Sequence, residues 1–321
     1  MEGRQIVEML QTTVKLLPEG RHGGELKLLN SALKELRYAF NVFADYRPTN
    51  KISIFGSART PEEHPDYLAA VAFARTMAAA GWMIITGAGD GIMKAGHEGP
   101  GREASFGVAI RLPFETTANS IIAGDEKLIN FRYFFTRKLV FVSQSNAVAL
   151  FPGGFGTQDE NFETLTLIQT GKSAMVPIVL LSGDTDGALA PNGYWLEWQS
   201  YVREQLLERG MINPEDMELF HLAKDEEDAA NHILHFYRNY HSQRYVGRDF
   251  VMRLRTPLTE EHIEALNEQF GDLIESGKMV QCAAYDSERE FRDLPRLAFH
   301  HTRRDWGRVR MLINAVNDMS A

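Results

Sequence analysis

The sequence predicts an α/β fold in which a doubly wound parallel sheet carries helices on both faces. Short apolar runs alternate with longer helical patterns between residues 50 and 240, as in successive β-α-β units. Three of the apolar runs end in glycine-containing turns, at 56–57, 87–91 and 153–156. Because ligands bind outside the carboxyl ends of the strands in such sheets, the three turns together predict one binding site.

Two helices are predicted before the sheet, at 4–17 and 25–46, separated by the breaker-rich turn Pro18–Gly24. The second helix has an apolar stripe at three- and four-residue spacing, formed by Leu26, Leu29, Leu33, Leu36 and Phe40. Residues 47–50 end this layer. We therefore predict an N-terminal helical segment at 1–48.

The central region, 49–240, is predicted to form the parallel sheet. Its strands are expected at 52–55, 82–86, 106–110, 128–133, 147–151, 176–181 and 217–222. The intervening helices are expected at 62–80, 92–98, through Arg137 and Lys138, and at 157–171, 194–209 and 225–240.

The pattern changes after Tyr240. Strands are predicted at 250–254, 279–285 and 297–301, with helices at 259–276 and 305–318. This β-α-β-β-α order predicts a small C-terminal α+β unit at 241–321.

Composition narrows the classes of function. The chain has 321 residues and a net charge of −9, which argues against broad, non-specific binding to nucleic acid. Its single cysteine, Cys282, allows no intrachain disulfide and fits a reducing compartment. We see neither a secretory signal pattern at the N-terminus nor a run of ~18 apolar residues. The expectation is a cytoplasmic protein with no membrane partner.

The segment from Phe151 to Glu160 combines the end of a strand, a glycine turn and the start of a helix. Backbone N–H groups in such a turn can surround a phosphate. The residues from Thr157 to Glu160 also fit a capping box. In that box Thr157 caps the helix, and the Glu160 side chain only bonds back to the N-cap backbone. Three glycines in four residues favour close approach of a ligand over capping, because a cap does not require them. Both interpretations of Glu160 remain open at this point.

On the ligand interpretation, Glu160 lies near the positive end of a helix dipole, which favours its ionised form. An ionised carboxylate suits stabilising a developing positive charge or polarising water, and is poorly suited to donating a proton. Cleavage of an N-glycosidic bond beside a 5′-phosphate creates such a cationic sugar. On this interpretation, a phosphate-binding turn with a carboxylate beside it is chemically coherent for a nucleotide hydrolase.

Arg137 and Lys138 lie in an otherwise apolar, helical stretch. Either they form a solvated edge or salt bridge, or Arg137 holds a phosphate or fixes Glu160, since arginine recognises such groups in a bidentate manner. Met93 could pack on a base or belong to the core.

Other motifs are interpreted structurally. The turn at 87–91 lacks the third glycine of the dinucleotide fingerprint, because position 92 is Ile. The Gly-Lys-Ser triplet at 171–173 resembles the end of a P-loop but is interpreted as a helix C-cap. His232 and His235, with Asp228, are not expected to bind a metal. The arginine-rich segment 296–310 is either a solvated or intersubunit face or a site for an anionic effector.

The residues from Pro152 to Glu160 match the PGGxGTxxE motif of the LOG ("Lonely Guy") family. Arg137-Lys138 stands where that family carries its Arg-Lys pair, and Gly56-Ser57 and Gly87–Met93 resemble its two earlier glycine turns. The resemblance covers roughly residues 50–240. Asp90 departs from the usually glycine-richer second turn.

The resemblance implies a Rossmann-like fold and a phosphoribohydrolase, which releases a free base and ribose 5-phosphate from a nucleoside 5′-monophosphate. It implies that Arg137 and Glu160 are the catalytic pair, that the protein is a homodimer or larger homo-oligomer, and that no metal or other cofactor takes part. The phosphate- and nucleotide-binding residues that it implies are Gly56, Ser57, Gly87, Gly89, Gly91, Met93, Lys138, Gly153, Gly154, Gly156 and Thr157.

The N-terminal helices and the C-terminal unit lie outside the compact family core, and this longer layout resembles bacterial nucleotide nucleosidases of the same superfamily more than short cytokinin-activating enzymes. Many members carry an old "lysine decarboxylase" label, which no pyridoxal-phosphate lysine context supports here. The alternative is a non-catalytic carrier or sensor of a nucleotide or phosphorylated cofactor, because molybdenum-cofactor carriers have related glycine loops.

Overall fold

A seven-stranded parallel sheet forms the centre of the computed structural model, which describes residues 2–111, 118–183, 189–190 and 193–319. The strands are β1 Lys51–Phe55, β2 Met83–Thr86, β3 Ser105–Ile110, β4 Leu128–Phe131, β5 Ala147–Leu150, β6 Ile178–Leu180 and β7 His221–Leu222. Their spatial order is β4-β3-β2-β1-β5-β6-β7, so the order of the strands reverses between β1 and β5. The turns that follow these two strands therefore meet at the switch point where α/β sheets bind ligands.

Helices cover both faces of the sheet, which confirms the predicted fold class. Ile52, Ile54 and Ile84 face one apolar cluster, whereas Phe55 and Ile85 face the other, because side chains alternate along a strand. The first cluster includes helices α3 (Pro65–Ala79), α4 (Ile92–Glu98) and α8 (Glu226–Phe236). The second includes α2 (Gly23–Ala44), α5 (Phe134–Gln144), α6 (Phe155–Gln169) and α7 (Tyr194–Tyr201), which continues as a π-helical segment at Val202–Leu207.

The N-terminal helices lie where the sequence predicts them, with α1 at Glu2–Lys15 preceding α2. The second half of α2 packs on the sheet, where Phe43 stacks on Phe106 with ring centroids 4.3 Å apart. Glu35 accepts hydrogen bonds from the Arg132 backbone N–H (2.9 Å) and the Thr136 hydroxyl (2.6 Å). These bonds fix the start of α5, the helix that carries Arg137 and Lys138. Among the described residues, no helix is both long and apolar enough to cross a bilayer.

The C-terminal region forms a four-stranded antiparallel sheet in the order β10-β11-β9-β8. Its elements are β8 Tyr240–Val246, β9 Asp249–Leu254, α9 Glu260–Gln269, β10 Ile274–Cys282, β11 Arg296–His301 and α10 Trp306–Asp318. One strand more is present than the sequence predicts, since β8 occupies residues between the predicted helix at 225–240 and the predicted strand at 250–254, and α8 ends at Phe236. The Asn317 side chain accepts hydrogen bonds from the backbone N–H groups of Asn239 and Tyr240, both 2.9 Å, and so helps to hold the chain extended there.

Two further boundaries differ from the prediction. The first half of the strand predicted at 217–222 belongs to a 3₁₀ helix, Pro214–Leu219, because Asn213 and Asp216 form a capping box and proline suits the first helical position. The helix predicted at 259–276 ends at Gln269, and the chain then enters β10 at Ile274.

The arginine-rich segment is largely engaged within the chain. Arg296 is buried and bonds Glu288 (3.1 Å), and Arg308 pairs with Asp272 (2.8 Å). The guanidinium of Arg310 lies 4.5 Å from the centroid of the Phe236 ring. An anionic effector at this segment remains a prediction.

Helix α6 ends in the C-cap that the sequence predicts at 171–173. Gly171 has φ +65° and its N–H donates to Ile168 O (2.9 Å), while Lys172 N–H donates to Leu167 O (2.8 Å). The Trp306 ring of α10 lies directly against Gly171, so that a Cβ there would overlap it. Glycine at this position therefore ends α6 and lets the C-terminal helix pack against it.

We expect Gly171→Ala to lower the free energy of unfolding by more than Gly210→Ala does. Both positions have positive φ, so each substitution costs about 1 kcal/mol or more in backbone strain. Only Gly171 also faces a ring, because a Cβ on Gly210 would have no atom within 4 Å. Urea unfolding of the two variants measures the difference. Equal destabilisation would show that the contact with Trp306 contributes nothing.

Candidate functional site

The turns after β1, β2 and β5 approach each other at the carboxyl edge of the sheet. The Ser57 N–H donates to Pro152 O (3.1 Å) and the Ile92 N–H donates to Ser57 O (3.0 Å). A Cβ on Gly56 would lie 2.7 Å from the side chain of Ile92, and one on Gly91 would overlap the backbone of Ser57. The structure therefore brings together the three glycine turns that the sequence singled out, and glycine is what allows them to approach so closely.

The glycine loop opens α6 without any side-chain cap. Gly154 is the N-cap, and its carbonyl accepts hydrogen bonds from the N–H groups of Thr157 and Gln158, both 3.1 Å. Thr157 is thus the third helical residue, and its side chain lies against Gly153. The capping-box interpretation of Thr157 and Glu160 is wrong, because the N-cap is Gly154, three residues earlier than that box requires.

The outer side of this loop is open. A Cβ on Gly154 or Gly156 would have no atom within 4 Å, and Phe155 between them is 97% exposed. The first N–H groups of a helix have no carbonyl one turn earlier to bond, so those of Phe155 and Gly156, which precede the two N–H groups bonded to Gly154 O, suit an anion. Access to the loop is consistent with the predicted phosphate contacts.

Tyr194, a residue that the sequence did not indicate, fixes the glycine loop through its hydroxyl group. Its hydroxyl donates to Gly153 O (2.5 Å) and accepts from the Gln158 side chain (2.7 Å). No motif marks this residue, since it lies on α7, 41 positions from Gly153.

The second turn rests on a buried network that the sequence analysis also missed. His97 is fully buried, with its Nε2 3.0 Å from both Phe106 O and the Thr86 hydroxyl. Because Phe106 O can only accept, we assign the proton to Nε2 and the acceptor to Nδ1, which the Asn119 amide approaches at 3.1 Å. Burial lowers the pKa of His97, which keeps the ring neutral.

The same network reaches the turn at two points. The Asn119 amide donates to Gly89 O (3.0 Å), and the Ala88 N–H donates to the Thr86 hydroxyl (3.0 Å). Ala88 has φ +63°, a conformation that costs free energy for a residue with a Cβ. The network stabilises this strained turn.

Arg137 and Met93 line the second turn. A Cβ on Gly87 would overlap both side chains, and one on Gly89 would lie 2.6 Å from Met93 Cε. Arg137 Nε donates to Val108 O (2.9 Å), and its guanidinium carbon lies 5.2 Å from the Phe141 ring centroid. Its planar group is thus held at the edge of the site. The roles of both residues toward a ligand remain predictions.

Lys138 faces α6 instead of the glycine turns. Its ammonium lies 3.0 Å from Asp159 and 3.9 Å from Glu160, and it also contacts Glu163. Burial alone would lower the pKa of Lys138, but the bonds to Glu163 and Asp159 raise it overall. The contact of Lys138 with a nucleotide remains a prediction.

Glu160 lies in the second turn of α6 and is only 7% exposed. Burial raises its pKa from 4.5 to about 7, although Lys138 and Arg137 each lower it. The expectation that the helix dipole keeps Glu160 ionised is therefore wrong. The dipole acts mainly within the first turn, whereas the loss of water acts on the carboxyl directly. Near neutral pH this group can both accept and donate a proton.

Comparison with known proteins supports the family resemblance seen in the sequence. The family model described as "Possible lysine decarboxylase" matches residues 87–233. No curated protein matches the chain significantly.

Three solved structures are similar to part of this chain. The molybdenum cofactor carrier protein from Chlamydomonas reinhardtii is 21% identical over 57% of this chain and 94% of its own, with a TM-score of 0.38. The molybdenum cofactor binding protein from Rippkaea orientalis is 19% identical over 56% and 93%, with a TM-score of 0.38. DNA processing protein A from Helicobacter pylori is 14% identical over 58% and 80%, also with a TM-score of 0.38.

The family match includes the second glycine turn, the Arg-Lys pair and the whole PGGxGTxxE segment. Residues 87–233 of this chain are thus similar to the family described as "Possible lysine decarboxylase", in agreement with the LOG-type motif.

Proposed function

We propose that the protein hydrolyses the N-glycosidic bond of a nucleoside 5′-monophosphate, giving the free base and ribose 5-phosphate. One observation carries the proposal. A buried carboxyl with a pKa of about 7, that of Glu160, lies on the helix that the glycine loop opens. A phosphate-binding loop alone explains the glycines, whereas the acid beside it suits a reaction at the adjacent sugar.

The turns at 56–57, 87–91 and 153–156 would hold the 5′-phosphate through backbone N–H groups. Arg137, fixed by Val108 O and the Phe141 ring, would orient the nucleotide. Lys138 would hold the acidic face of α6 in place, since it contacts Asp159, Glu160 and Glu163.

In this mechanism the bond between C1′ and the base nitrogen breaks as a water oxygen bonds to C1′. The ionised form of Glu160 stabilises the oxocarbenium-like sugar and accepts a proton from the attacking water. The proton is then available for the departing base. A pKa near 7 suits both transfers, because neither protonation state is strongly disfavoured near neutral pH.

We further propose a homodimer or larger homo-oligomer. Phe134, Phe135 and Leu139 on α5 are each about half exposed, next to the two cations of the site. Much of the apolar stripe on α2 is also exposed, including Leu29 and Leu33. Exposed apolar side chains grouped in this way favour a protein partner.

The alternative function is a carrier or sensor that binds a phosphorylated ligand without reaction. The open glycine loop favours it equally, since binding of a phosphate needs nothing further. The two molybdenum cofactor proteins are named for such a binding role. Substitution of Glu160 separates the two functions.

We expect Glu160→Gln to lower kcat by roughly 10²- to 10⁴-fold, the usual contribution of a general acid–base group, with little change in nucleotide affinity. Release of free base from a panel of monophosphates measures kcat, and calorimetry measures affinity. Glu197→Gln is the matched control, because it makes the same change at an exposed glutamate on α7. If the wild-type protein binds a monophosphate yet releases no base from any of the panel, the carrier function replaces the hydrolase.

The rate should also depend on pH, in the direction that ionisation of Glu160 predicts. The ionised form is the active base, so kcat/KM should rise as pH increases through about 7 and level off above it. Steady-state rates between pH 5 and pH 9 would show this limb, on the order of tenfold per pH unit below the midpoint. A profile that is flat across neutral pH would contradict a catalytic Glu160.

Arg137→Lys should reduce kcat/KM by roughly tenfold to a hundredfold, since a hydrogen bond to a charged group contributes about 1.5–3 kcal/mol and lysine cannot reproduce the planar, bidentate contact. Arg132→Lys, on the exposed residue just before α5, serves as the control. Matching kinetics for the two variants would remove Arg137 from the site.

A further inference from the structure

A cavity of about 380 Å³ lies between the α5/α6 face of the parallel sheet and the C-terminal sheet. Ser53 and Phe55 of β1 and Phe141 of α5 form part of its wall. Residues 172–176 and 240–243 close it from the end of α6 and from β8. None of the glycines of the three turns lines it. The cavity is therefore a place distinct from the predicted phosphate site.

Glu160 and Thr164 of α6 also line this cavity. Glu160 is also the central residue of the proposed reaction. It therefore belongs both to the proposed reaction site and to the wall of the cavity. A molecule in the cavity would contact the catalytic helix on one side and the first strand of the C-terminal sheet on the other.

The lining disfavours a phosphate. Among the described lining residues, Lys172 and Glu160 are the groups that ordinarily carry a charge. Burial, together with Arg255, Arg253 and Arg296, lowers the pKa of His241, which keeps that ring neutral. A desolvated dianion would meet no excess of positive charge here.

The remaining lining suits a flat, neutral molecule that forms hydrogen bonds. Phe141, Tyr237 and Tyr240 supply aromatic surface. Several polar groups are already oriented by their own bonds, since Asn146 Oδ1 accepts from the Lys51 backbone N–H (2.9 Å) and Gln243 Oε1 accepts from the Tyr240 hydroxyl (3.2 Å). Apolar walls with a few fixed polar groups are typical of small-molecule sites of 300–1,000 Å³.

We propose that this cavity is a second ligand site, which takes a free nucleobase and thereby inhibits the reaction at Glu160. The choice of ligand class rests on the proposed function, because a free base is what that reaction releases. A neutral ring in the cavity removes remaining solvent from the Glu160 carboxyl and favours its protonated, inactive form.

The test is a calorimetric titration of the full chain with adenine, hypoxanthine, cytosine and uracil, with excess ribose 5-phosphate present to occupy the glycine turns. We expect at least one base to bind and to inhibit hydrolysis without competing with the nucleotide. Ala174→Trp, at a lining position away from the proposed catalytic groups, should weaken that binding about tenfold or more by occupying the ligand's volume. Ala79→Trp, on the exposed end of α3, is the matched control.

Ser145→Val is the second variant, in case Ala174→Trp does not fold. It removes the hydroxyl that bonds Ser53 (2.6 Å) and should also weaken base binding. Absence of base binding in the wild-type chain, unchanged affinity in both cavity variants, or strict competition with the nucleotide would each overturn the proposal. Base binding that the cavity variants abolish, in a protein that hydrolyses no monophosphate, supports the second site and contradicts only the proposed reaction.

Discussion

The candidate site depends on the close approach of three backbone turns that side chains would prevent. Gly56 lies against Ile92, Gly91 against the backbone of Ser57, and Gly153 against Thr157. Each contact leaves no room for a Cβ, so the absence of a side chain is a requirement of the packing. With the turns in contact, backbone N–H groups of separate strands can converge on one anion without any cationic side chain among them.

A second constraint is the burial of Glu160 beside two cations. Loss of water raises the pKa of the carboxyl, and the positive charges of Lys138 and Arg137 oppose that rise. Burial prevails, because Lys138 is shared with Asp159 and Glu163 and so acts on Glu160 only in part. The result is an acid that titrates near neutral pH, a property that a surface glutamate would not have.

The C-terminal region is joined to this site through α6. Trp306 packs on Gly171 at one end of the helix, while β8 and Glu160 share a cavity alongside it. The helix that carries the proposed catalytic carboxyl thus contacts α10 and borders a cavity that β8 also lines. This arrangement gives the C-terminal sheet a physical route to the site that does not depend on its arginines, two of which pair with Glu288 and Asp272.

The sequence by itself determined the order of strands and helices apart from β8, the three glycine turns and the C-cap at Gly171, because apolar periodicity and glycine placement are local properties. It also pointed to Arg137 and Glu160 through the LOG-type motif. Only the tertiary structure decided that α6 starts at Phe155, so that Thr157 is no cap, and that Glu160 is buried enough to hold a proton near pH 7. Tyr194, His97 and Asn119 likewise emerged only in three dimensions. Burial and contacts between distant segments set these features, and no local pattern of residues encodes them.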